Sequence, residues 1–342
     1  MKRLVRIVLT LFLIAGALCL FVAEVVLRQM VRQPHQDPVG RSLLLAALKK
    51  AGTDTGAVEL GPEWTALTSS DTRRLADPGL KAFSALNVRG QRIWGWYYPG
   101  QPDAGAILLC HGHSVSHNEL RYVFNFLRPT GYHLLMLDFR AHGASDGEYT
   151  SIGLQEWEDV DAILKEAEKL GYLPPNRPLG AYGRSMGAAT LVNGARHLPR
   201  IHAFLIEAMF PWLRRIGAND LKAYVGIPDN PFVDVAFWYA SWRTGIDYLT
   251  NRPENEIGNI APRPLLIIHD AKDVRLHRSD FERLKTAASG AQTLVFDEAG
   301  HVGAHKSEPE RFEREFLSFF AAAGIPRPAG TEIVSTSSLD LK

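Results

Sequence analysis

Cysteine is scarce in this chain, with two in 342 residues. Cys19 lies in an apolar N-terminal run and Cys110 ends a strand-like run, so no disulfide between them is expected, and two cysteines build no disulfide scaffold. No Cys/His set has zinc-finger spacing. A charge excess is missing as well. Lys and Arg number 38 against 37 Asp and Glu, a net charge of +1, which leaves no basic field for nucleic acid and no acidic one for a cationic partner. Internal repeats are absent, which excludes a solenoid. What remains is an ordinary core-forming composition, 46% apolar and 22% charged. It suits one large α/β domain with appendages or two small domains, and it is neither disordered nor fibrous.

The N-terminus carries the longest apolar stretch. A basic start through Arg6 leads into Ile7–Ala23, which holds no charge before Glu24. At ~1.5 Å per residue this run gives ~25 Å, and flanking apolar residues extend it towards the ~30 Å of a bilayer core. A single-pass signal anchor over residues 1–27 is the expectation. A cleaved signal peptide is the alternative, although no small-x-small site precedes Glu24; a buried helix is the third reading. Basic residues nearly balance across the run (Lys2, Arg3 and Arg6 against Arg28, Arg32 and Arg41), so they hardly set an orientation. The bulk of the chain is expected on the non-cytoplasmic side.

Residues 28–79 read as a connector with a short helical patch at Ser42–Lys50, and residues 326–342 as a flexible tail. Between them, over 80–325, the pattern is that of a single α/β domain. A hairpin is expected from Ala82–Val88 and Gln91–Tyr98, turning at Arg89-Gly90. Apolar runs at Ala106–Cys110, His133–Asp138, Leu179–Tyr182, Ile201–Ile206, Leu265–His269 and Gln292–Phe296 then alternate with helical stretches near 118–128, 153–170, 186–197, 277–288 and 307–322. Strands that are apolar throughout, each followed by a helix, imply a mostly parallel sheet covered on both faces. Residues 208–260 break the alternation and are rich in aromatics, among them Phe210, Trp212, Tyr224, Phe237, Trp238 and Trp242. They are expected to form a cap above the carboxyl ends of the strands, most of the aromatics packing it and some facing the site beneath.

Chemistry enters at Gly183-Arg184-Ser185-Met186-Gly187, a Gly-x-Ser-x-Gly motif with a strand leading in and a helix leading out. A serine on so sharp a turn needs small neighbours, because side chains there would strike the adjoining strand and helix. Its hydroxyl is unreactive until a base takes the proton, and the base needs an acid to orient it. The acid should follow a later strand. Asp270 and Asp273 both follow Leu265–His269; Asp273 stands further into the loop and is preferred. The base should follow the last strand, where His301 stands behind a glycine, with His305 a distant second. Two backbone amides should meet the oxyanion, those of Met186 and His113, the imidazole of His113 taking no part. The competing reading of His111, His113 and His117 as a metal cluster lacks the acidic residue such motifs carry, so neither metal nor cofactor is expected.

Together, Ile107–His113, Leu137–Ser145, the Gly-Arg-Ser-Met-Gly turn, Ile206-Glu207 and Ala299-Gly300-His301 resemble α/β-hydrolases of the serine-aminopeptidase-like and monoglyceride-lipase-like type, a group that includes membrane-anchored enzymes. The resemblance covers about 82–322. It implies the α/β-hydrolase fold, a Ser185–Asp273–His301 triad, and a loop at Asp138–Ser145 that borders the site without reacting. Two positions depart from the group: Asp270 replaces a usual glycine, and His113 replaces a small or aromatic residue.

The expected function is hydrolysis of a carboxylic ester, small or lipid-derived, through an acyl-enzyme on Ser185. Amide or peptide hydrolysis by the same triad is the alternative, and a non-catalytic binding protein on the same fold is a third. The expected partners are this substrate and, through the N-terminal helix, a membrane; oligomeric state is not readable.

Overall fold

The computed structural model describes residues 2–31, 58–59, 79–222 and 230–328. The helical patch at 42–50, most of the connector, Tyr224 and the tail beyond 328 lie outside the described residues. Among the described residues nine strands form one sheet: β1 Val58–Glu59, β2 Lys81–Leu86, β3 Arg92–Tyr98, β4 Ala106–Cys110, β5 His133–Asp138, β6 Leu179–Arg184, β7 Ala203–Glu207, β8 Leu265–Asp270 and β9 Gln292–Phe296. Their order is β1-β2-β3-β5-β4-β6-β7-β8-β9, antiparallel from β1 to β5 and parallel from β5 onward. The expected hairpin closes where Asn87 and Gln91 bond and Gly90 takes φ +73°.

Every residue of β4 to β8 is buried, which is why these strands read as apolar runs without alternation. Successive side chains still point to opposite faces. Leu108, Leu135, Phe204 and Ile267 pack on one face with helices Trp157–Lys169 and Met186–Asn193. Ile107, Leu134, Tyr182 and Leu266 pack on the other, under Phe312, Phe316 and Phe320 of the last long helix, Pro309–Ala322. The layers are thus helix, sheet and helix. Each candidate site residue follows the carboxyl end of a parallel strand, the edge at which open α/β sheets bind their ligands.

Several boundaries differ from expectation. β1 was not foreseen. The helix expected from 153 starts at Trp157, because Glu156 is buried and accepts bonds from Thr150, Ser151 and Gly153, holding 150–153 as a loop. The helix after Ser185 ends at Asn193, with Gly194 closing it. Pro326, read as the start of the tail, is held against the sheet end by the Gly105 amide at 2.8 Å.

The N-terminal helix forms over Lys2–Val26 and continues as a wider turn, Leu27–Val31. Among the described residues no helix is long and apolar enough to cross a membrane, so the expected transmembrane span does not appear in the structure. The carboxyl end of this helix is committed to the protein. Ala23, Leu27 and Val31 are buried, and Glu24 accepts bonds from Arg28 and from Tyr239 of helix Phe232–Thr244, within the segment expected to form a cap.

Candidate active site

The turn at Ser185 is the local feature on which the rest depends. Ser185 takes φ +47° and ψ −110° between β6 and its helix, a conformation that costs a non-glycine residue ~1–3 kcal/mol. Its amide donates to Glu207 O at 2.9 Å, and Ala189 N closes the helix on Ser185 O at 3.0 Å. The flanking glycines are required on steric grounds. A Cβ at Gly183 would lie 2.7 Å from the backbone of Gly187 and Ala188, and one at Gly187 would meet the carbonyls of Cys110 and His111 at 2.4 and 2.6 Å.

Three side chains remote in sequence converge here. His301 Nε2 lies 3.2 Å from Ser185 Oγ, and His301 Nδ1 lies 2.6 Å from Asp273 Oδ2. The carboxylate makes Nδ1 the protonated nitrogen and leaves Nε2 free to accept from the hydroxyl. The second oxygen of Asp273 accepts the amides of Arg275 and Leu276 at 2.8 and 3.2 Å, which locks the carboxylate's direction. The loops carrying Asp273 and His301 are joined by Ala271 N to Phe296 O and Lys272 N to Ala299 O. Of the two candidate acids, Asp273 meets the imidazole and Asp270 does not. His305 lies away from Ser185, its Nδ1 3.2 Å from Arg184 Nη2, and burial pushes it down to about 2.

The loop after β4 runs beside the serine: a Cβ at Gly112 would sit 3.9 Å from that of Ser185. Its histidines are each turned to a different partner. His111 bonds Gly112 O and accepts from Phe139 N; His117 bonds Asp138 and stacks on Trp96. His113 donates from Nε2 to Met30 O at 2.6 Å, its Nδ1 2.9 Å from Ser114 Oγ. The N-terminal segment therefore reaches the site, a contact with no signal in the sequence. Thr150 N also donates to Val31 O at 3.0 Å. The Asp138–Ser145 loop is tied to itself and its neighbours: Asp138 accepts from His117 and Ala144, and Ser145 Oγ bridges Asp138 O and Trp94 N.

Beneath the turn lies a buried polar network that sequence reasoning missed. Arg184 bonds Tyr182 and Glu119 and stands 3.5 Å from Glu207, and Tyr182 donates to Glu207. Asp270 lies nearby, its Oδ2 accepting from Gly303 N at 3.3 Å.

The profile of the Alpha/beta hydrolase family matches residues 107–315. The chain belongs to that family. It is 29% identical over 223 residues to YqkD, an uncharacterized protein of Bacillus subtilis strain 168, covering 64% of this chain and 72% of that one. It is 27% identical over 192 residues to human ABHD12B, covering 52% of this chain and 48% of the other. Among solved structures, it resembles the Pyrococcus furiosus esterase Pf2001 with a TM-score of 0.57 at 25% identity, over 71% of this chain and 90% of the esterase.

As an α/β hydrolase, the chain is a hydrolase by family, and its candidate site residues lie at the carboxyl edge of the parallel sheet. Glu207 and Asp270 each end an apolar strand in the sequence, as Asp138 does. Nothing local, however, shows that the two strands are neighbours.

Proposed function

We propose that this α/β hydrolase is a serine hydrolase that cleaves carboxylic esters of small or lipid-derived acids through an acyl-enzyme on Ser185. One observation carries the reading: Asp273, His301 and Ser185 stand in a continuous chain of contacts of 2.6 and 3.2 Å. In the proposed reaction His301 Nε2 takes the Ser185 proton as Oγ attacks the carbonyl carbon. Asp273 stabilises the imidazolium without taking its proton. The amides of Met186 and His113 are assigned to the oxyanion, each worth ~3–4 kcal/mol. His301 then protonates the leaving alcohol, and a water activated by the same nitrogen releases the acid. The likeness to an esterase favours an alcohol over an amine as leaving group.

The reading includes a lipid surface as partner. The N-terminal helix exposes Val5, Ile7, Leu9, Leu13, Ile14, Leu20 and Phe21, and the adjoining cap helix exposes Trp238 and Trp242. Paired helices with such faces suit an interface. Flotation with liposomes checks this; a protein that stays at the bottom of the gradient with and without lipid contradicts it.

The catalytic reading is tested with p-nitrophenyl esters and p-nitroanilides of matched acyl chains. Ester turnover that falls by several orders of magnitude in Ser185→Ala is expected. Turnover of anilides alone would make the enzyme an amidase. Absence of turnover together with no labelling by a fluorophosphonate would make it a binding protein.

A further inference from the structure

Immediately after His301, two carboxyl groups that the reaction does not use hold the backbone. Gly303 N donates to Asp270 Oδ2 and Ala304 N to Glu207 Oε1, both at 3.3 Å. Asp270 ends β8 and Glu207 ends the neighbouring β7, and both are buried. The segment they hold is strained: Val302, a β-branched residue, takes φ +55°, a conformation that persists only when the surroundings impose it. The two acids are served unequally. Glu207 has the Tyr182 hydroxyl and Arg184, whereas Asp270 Oδ1 is buried with no hydrogen-bond partner. An ionised Asp270 would place a second, poorly compensated negative charge beside the first, while a neutral carboxyl avoids that cost.

We propose that Asp270 is a positioning residue for His301: as a neutral carboxyl beside Glu207 it clamps the Val302–Ala304 segment so that the imidazole faces Ser185. The proposal rests on His301 being the base, as set out under the proposed function. Burial, then the charge of Glu207, push the Asp270 carboxyl up to about 8, against the pull of the Gly303 and Val302 amides. The groups facing this corner are Tyr182 and Arg184 on β6, Glu207 on β7, Asp273 in the loop that follows Asp270, and His301 and His305 after β9. Arg184, the cation among them, is drawn to Tyr182, Glu119 and Glu207.

The sign follows from proton counting. The folded protein keeps on Asp270 a proton that the unfolded chain releases near ~3.9. Stability from this group therefore declines as pH rises from about 4 to about 8, and levels off above. Asp270→Asn removes the titration and keeps an oxygen for the Gly303 amide; Asp270→Ala removes the clamp.

The full chain and both variants are compared in two ways. In thermal unfolding between pH 5 and pH 9, Asp270→Asn is expected to melt above the wild type by a margin that grows with pH up to about 8. In ester kinetics at pH 7, Asp270→Ala is expected to lose roughly 10- to 100-fold in kcat at little-changed KM, as a displaced base would, while Asp270→Asn stays near wild type. A melting margin independent of pH, an alanine variant with wild-type kcat, or an asparagine variant as impaired as alanine overturns the proposal. Should the wild type turn over no ester, the reading of the site fails and the positioning role with it, while the thermal comparison still decides whether Asp270 is held neutral beside Glu207.

Discussion

Gly187 sits so close to Cys110 that a Cβ added to it would lie 2.4 Å from the Cys110 carbonyl oxygen. The contact joins the start of the helix after Ser185 to the end of β4, and with it the Ser185 turn to the loop carrying His113. Gly187→Ala is expected to destabilise the fold by ~1–3 kcal/mol, as overpacking does, and to lower turnover sharply. Gly300, directly before His301, is different: nothing lies within 4 Å of a Cβ there. Gly300→Ala should leave kcat within a few-fold of wild type. Thermal melts and steady-state kinetics of the two variants check the contrast, and equal effects would contradict it.

Burial pushes both His111 and His113 down to about 4. Each is neutral in the fold at a pH where the unfolded chain, with an ordinary value near ~6.5, already binds a proton. Their contribution to stability is complete above about 6.5 and is lost as pH falls towards 4. The melting temperature should drop across that window. His113→Gln keeps an amide donor for Met30 O and cannot titrate there, so its decline should be shallower. A variant slope as steep as the wild-type one would contradict the assignment.

Val31 is fully buried beside the site and its carbonyl is bonded to Thr150. If this segment belongs to the catalytic domain, Val31→Asp buries an unpaired charge and should lower both the melting temperature and kcat. A connector residue would tolerate the change. Leu20→Asp, on the exposed face of the same helix, is the control and should leave the melting temperature close to wild type.

How much was legible in the sequence follows from which forces are local. The strand–helix alternation was legible because buried parallel strands need continuous apolar runs such as Leu265–Ile268, and the turn at Ser185 because its steric demand falls on adjacent glycines. The order along the chain pointed to Asp273 and His301, which the structure brings into contact with each other and with Ser185. The choice of Asp273 over Asp270 depended on loop reach, and the structure puts the imidazole against Asp273. Contacts across long stretches were not legible. The return of Met30 and Val31 to the β4 loop has no periodic or motif signature, and the pairing of Glu207 with Asp270 arises only once β7 and β8 lie side by side. The apolar N-terminal run predicted a helix correctly. Hydropathy alone did not indicate that its carboxyl end would pack on the protein.

The most direct test of the central claim is a mass measurement. The wild type, Ser185→Ala and His301→Ala are treated with a fluorophosphonate, and the adduct is located by peptide mapping. The account predicts one adduct, on Ser185 of the wild type, absent from Ser185→Ala and formed far more slowly in His301→Ala. An adduct on another residue, or one that forms at the wild-type rate in His301→Ala, would contradict it.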